Sequence, residues 1–169
     1  MRFGGDMRRK ITFVALLGLI GSAAAFALPL SPSDLVGAWR CGPTVMQGPG
    51  FTIAVTDETT KLADGTYTAH TSTVISAPDT PNITLQDRSS GTWELVGDVV
   101  KSRVIRAEFL SASDPSITNE AGQKAQDDQL AKKAVYETRI LEISGTRSRS
   151  IPVNSMYKEA AVESACERI

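Results

Sequence analysis

Two short turn signals, Ala63-Asp64-Gly65 and Gly97-Asp98, each separate runs rich in β-branched and aromatic residues, and they constrain this chain more than any other feature. An Asp-Gly pair favours the tight turn that joins neighbouring antiparallel strands. Connections this short leave no room for the crossover helix that a parallel pair requires. The flanking runs, 51–60, 66–76, 90–96 and 99–111, therefore read as successive antiparallel strands. Their alternation predicts which side chains point inward. Tyr67, Ala69 and Ile75 share one face, Trp93 and Leu95 another, and Ile105, Ala107 and Phe109 lie opposite Arg106 and Glu108.

Upstream, Leu35, Gly37, Trp39 and Cys41 fall on one face of a first strand, after a segment in which Pro29 and Pro32 oppose regular structure. Gly42-Pro43 and Gln47-Gly48-Pro49-Gly50 mark residues 42–50 as a loop, and 77–89 reads as a second loop holding a short strand at 83–85. The period then changes. Residues 118–134 have Thr118 as an N-cap, are rich in Ala, Gln, Glu and Lys, and carry a thin apolar stripe. They predict an exposed helix, with Glu120…Lys124 and Asp128…Lys132 as i,i+4 pairs. Strands resume at 136–144 and 147–153. The expected fold is mainly β, an antiparallel meander forming a small barrel or strongly curved sheet, with one exposed helix near residues 118–134.

The amino terminus carries Arg8-Arg9-Lys10, an apolar run from Ile11 to Ile20, and an A-x-A site at Ala25 and Ala27. This is the form of a signal peptide over residues 1–27, with cleavage before Leu28; a start at Met7 in place of Met1 would keep the Arg8-Arg9-Lys10 n-region. The apolar run is much shorter than the ~20 residues needed to span a bilayer. The remaining 142 residues make one domain, 28–169, exported to a periplasmic or extracellular space. Residues 1–27 hold four basic side chains and one acid, so the mature part is more acidic than the whole chain, at −4 against −1. No basic stripe offers itself to nucleic acid or anionic lipid.

Cys41 and Cys166 are the only cysteines. In an oxidising compartment an even count points to a disulfide, here one that lays the two ends of the domain side by side. That expectation bears on residues 156–169, where Glu159-Ala-Ala-Val-Glu-Ser-Ala165 suits a helix by composition; the bond tips this segment towards a strand beside Trp39.

Gly37-Ala38-Trp39, preceded by Ser31-Pro-Ser-Asp-Leu-Val36, resembles the first strand of lipocalin-like (calycin) barrels, and Gly91-Thr92-Trp93 repeats the spacing. The resemblance implies a barrel whose floor is plugged by an indole. It departs from the family in two ways: the helix precedes at least one strand, and no second lipocalin motif lies between the middle strands.

Catalytic and metal-binding signals are weak. His70 is the only histidine, both cysteines are committed, and no D-x-D-x-D loop or G-x-S-x-G elbow occurs. Asp127-Asp128 reads as a solvated helix face. No cofactor and no metal are expected, and the balance leans away from an enzyme. The residues that suit ligand binding are Trp39, Tyr67, Trp93 and Phe109 inside the barrel, with Arg147 and Arg149 as an anion clamp or, alternatively, a solvated face paired with Glu137 and Glu142. Two functions follow as expectations. One is an exported module holding a small apolar or amphipathic ligand in the barrel. The other is a cell-envelope interaction or inhibitor protein acting on a protein partner through the loops 42–50 and 77–89 and the helix.

Overall fold

The structure is a computed structural model that describes residues 30–154 and 161–169. The expected signal peptide, its cleavage site and residues 155–160 lie outside the described residues. Eight strands run in chain order, each antiparallel to the next, and the last returns to the first to close a barrel. They are β1 (Gly37–Gly48), β2 (Phe51–Lys61), β3 (Thr66–Ser76), β4 (Ile83–Val96), β5 (Val99–Ala112), β6 (Val135–Ser144), β7 (Arg147–Pro152) and β8 (Ser164–Arg168). A short helix α1 (Pro32–Leu35) precedes β1, and α2 (Asn119–Ala131) lies between β5 and β6.

The expected barrel is present, and it is compatible with a lipocalin-like fold. Within the last segment Ser164–Arg168 is a strand, with Cys166 directly opposite Cys41 and disulfide-bonded to it. The helix begins at the predicted cap, where the Thr118 hydroxyl accepts the Ala121 N–H at 3.2 Å.

Several local expectations are corrected. The leading segment forms α1 rather than irregular chain, because Pro32 occupies the first helical turn, where its missing N–H costs nothing. Leu35 is thus a helix residue that tucks into the barrel floor. The segment 42–48 is strand, not loop; β1 absorbs Gly42-Pro43 through a bulge between Cys41 and Thr44 and turns only at Pro49-Gly50. Residues 83–89 are also strand, as part of one long β4. On the helix, Lys124 pairs with Asp128 at 3.0 Å. Lys132 turns to Gln129 rather than to Asp128.

In β5 the predicted face breaks at Ile105, which is 59% exposed. Ser90 faces Arg106 and Gly91 faces Val104, so Ile105 is the extra residue of a bulge. One inserted residue flips the side-chain phase, which places Val100 and Val104 inward before the bulge and Ala107 inward after it.

The floor of the barrel is apolar. Leu35, Tyr67, Trp93 and Val100 form a buried cluster, with Val36, Ala69, Leu95, Ile140 and Ile143 against it. The glycines of the two G-x-W sequences serve different needs. Gly37 has a φ of +118°, which an L side chain rarely adopts. Gly91 is buried where a Cβ would strike the Arg103 carbonyl and the Tyr67 ring, so it permits close approach of backbones.

Candidate functional site

The barrel encloses a cavity of about 630 Å³. It begins at the floor on Leu35, Trp39, Lys61 and Tyr67 and continues past Thr59, Ala69 and Thr138 to Met46, Val55 and Val162. The wall combines aliphatic and aromatic carbon with a belt of hydroxyls, among them Ser148 and Ser150, both buried. An interior of this kind suits a molecule with both an apolar and a polar part.

Two ionisable side chains of opposite sign line the cavity, Asp57 and Lys61. Both lie on the inward phase of β2, four residues apart. The Thr71 hydroxyl donates to Asp57 Oδ1 at 2.5 Å. Burial pushes the Asp57 carboxyl up from its usual range, opposed by that hydrogen bond and by the charge of Lys61. Burial pushes the Lys61 ammonium down, opposed by Asp57. Tyr67, opposite Lys61 across the β2–β3 ladder, is also held above its usual value by burial.

Sequence reasoning missed both β2 residues, since a strand pattern ordinarily assigns Asp and Lys to solvent. The signal was present in the alternation. Asp57, Thr59 and Lys61 share a phase, and pairing Lys61 with Tyr67 puts that phase inside.

Of the residues expected to bind ligand, Trp39 and Tyr67 line the cavity. Trp39 donates its indole N–H to the Leu35 carbonyl at 2.9 Å. Trp93 packs beneath the cavity in the floor, with its N–H shared between the Leu62 and Thr66 carbonyls at 3.2 and 3.1 Å. Phe109 meets Gly122 of α2 and is covered by the helix.

Arg147 and Arg149 lie on the outer face, since the alternate residues Ser148 and Ser150 point in. Arg149 binds Glu163 (Nη2 to Oε2, 2.8 Å) and Glu142 (Nη1 to Oε2, 3.3 Å). Arg139 pairs with Asp98 at 3.2 Å. His70 is exposed.

Arg168, which the sequence did not single out, seals the floor. Its guanidinium sits 4.4 Å from the centroid of the Trp39 ring. It also donates to the carbonyls of Val36 (2.7 Å), Asp34 (2.9 Å) and Gly145 (3.0 Å). One side chain from the last strand thereby ties together α1, the start of β1 and the β6–β7 turn.

The wall is completed by α2. β6 pairs with β5 only along Val99 to Arg103. Beyond that point Gln123 takes the place of a strand: its Oε1 accepts the Phe109 N–H at 3.0 Å and its Nε2 donates to the Ala107 carbonyl at 3.1 Å. Gln126 donates to Asp87 at 2.6 Å. A second cavity of about 240 Å³ lies in this seam and shares Thr71, Ser89, Val104 and Tyr136 with the first.

Among the described residues, no group of three or more His, Cys, Asp or Glu is placed to hold a metal ion, and no helix is long and apolar enough to cross a membrane. No family model matches the chain, and no curated protein matches it in sequence.

Proposed function

We propose that this is an exported, lipocalin-like binding module that holds a small amphipathic molecule inside its barrel. The observation that carries this reading is the cavity of about 630 Å³, within the range of about 300–1,000 Å³ that small-molecule sites occupy. Its mixed wall supports an amphipathic occupant over a purely apolar one. Export is supported by the residue pattern of the amino terminus and by the Cys41–Cys166 disulfide.

Trp39 and Trp93 provide the test, because only Trp39 lines the cavity. Titration with a panel of small amphipaths is expected to change the intrinsic fluorescence saturably. The change should persist in Trp93→Phe and disappear in Trp39→Phe. If no member of the panel gives a saturable change in the wild type, and calorimetry finds no binding heat, the reading fails.

A further inference from the structure

Lys61 lines the cavity, feels the charge of Asp57 four residues away on β2, and makes no ion pair among the described residues. It lies opposite Gly37 on one side and Tyr67 on the other, at the floor end of β2. Among the described residues the lysine ion pairs are Lys101–Glu137 and Lys124–Asp128, and Lys61 forms none. Among the described residues the lysines whose side chains donate hydrogen bonds are Lys124 and Lys132. Asp57, by contrast, already has the Thr71 hydroxyl. A desolvated ammonium without a close ion pair is costly to hold, and an ionised acceptor would satisfy it with a short, charge-assisted bond.

The rest of the wall fixes the orientation. The floor beside Lys61 is already filled by Leu35, Tyr67 and Trp93, so a tail has its room along the rest of the lining, which rises past Asp57 to the carbon surface of Val55, Met46 and Val162. We infer that the cavity takes an amphipathic anion, a monocarboxylate with an alkyl tail, bound head-down with its carboxylate on Lys61 and its tail towards Met46, Val55 and Val162. This inference rests on the binding reading above and specifies the ligand class. Asp57 opposes the second charge of a dianion and favours one negative group over two.

The experiment is calorimetric titration of the purified protein with decanoate, decanol and decyltrimethylammonium, each below its micelle concentration. Wild type, Lys61→Met and Lys61→Arg are compared, with circular dichroism confirming that each variant is folded. Wild type should bind decanoate at least about tenfold more tightly than decanol. Lys61→Arg should keep that preference, and Lys61→Met should abolish it while leaving decanol affinity within about twofold. Equal binding of decanoate and decanol by wild type, tightest binding of the cation, or a preference that survives in Lys61→Met overturns the anion assignment and leaves the binding reading in place. Failure of all three probes to bind wild type overturns the binding reading itself.

Discussion

Lys61 and Asp57 carry opposite charges inside a barrel whose other lining residues are neutral, and both are shifted by burial towards their uncharged forms. The consequences for stability have opposite signs. The folded-state value of Lys61 lies below its ordinary 10.5, so between those values the unfolded chain holds the proton that the folded chain has lost. Stability therefore rises with pH across that window. Asp57 lies above its ordinary 3.8, so there the folded chain holds the extra proton and stability falls as pH rises through the carboxylate range. Replacing Lys61 with Met removes a desolvated ammonium and retains an apolar stem of similar length. We expect Lys61→Met to be more stable than wild type at pH 7 by about 1–2 kcal/mol in urea denaturation, as is common when a functional group is sacrificed. The wild type should close part of that gap as pH rises towards the ordinary lysine value of 10.5. A Lys61→Met protein that is less stable than wild type at pH 7 would show that the ammonium is well satisfied in the free protein.

At the scale of elements, the weak place in the wall is the far half of β5, and α2 exists to cover it. The helix has few apolar residues with which to dock. It docks through Gln123 on an unpaired strand edge and through Gly122, which lets the Phe109 ring lie against the helix backbone. On an exposed helix Gly→Ala usually stabilises by about 0.5–1 kcal/mol. Here the sign should reverse, with Gly122→Ala destabilising by about 1–3 kcal/mol, because its Cβ would strike the Phe109 ring. Gln123→Ala should speed amide exchange at Phe109 and leave Val100 protected, since the β5–β6 ladder holds only the near half of β5. Unchanged Phe109 protection would mean that the edge does not depend on the glutamine. The elements themselves were largely legible, because alternation and short turns specify antiparallel strands and the Thr118 cap marks the helix start. The role of α2 was not. Its docking uses one amide side chain and one glycine, neither of which contributes to an apolar stripe. Bulges hid the rest: the extra residue at Ile105 reverses the face of β5, and the bulge after Cys41 keeps Gly42-Pro43 within a strand. The candidate site was half legible for the same reason that its chemistry is unusual. Aromatic residues such as Trp39 and Tyr67 announce an interior, whereas Asp57 and Lys61 imitate a solvent face.

For the whole molecule the decisive step is closure, and the closing seam is the shortest ladder in the barrel. β1 meets β8 at only three register pairs, Trp39 with Arg168, Arg40 with Glu167 and Cys41 with Cys166. Outside the barrel Arg40 pairs with Glu58 at 2.8 Å and approaches Glu167 at 3.9 Å, but exposed pairs of this kind contribute little. Three backbone pairs do not by themselves hold together segments so distant in sequence. The disulfide spans a separation of 125 residues, and in the chain-entropy account a loop of that length restricts the unfolded state by roughly 4–5 kcal/mol. Arg168 then anchors the same strand to the floor through Trp39 and three carbonyls. Loss of either fastening should open β8 while leaving the β2–β5 meander paired. The purified protein should accordingly show no free thiol in an Ellman titration under denaturing conditions. Cys166→Ser should lose about 2–5 kcal/mol in urea denaturation. Because Cys41 and Cys166 both line the cavity, the same variant should bind the decanoate probe more weakly even where it remains folded. Two titratable thiols per aerobically prepared chain, or a Cys166→Ser variant as stable as wild type, would show that the barrel closes by packing and not by its disulfide.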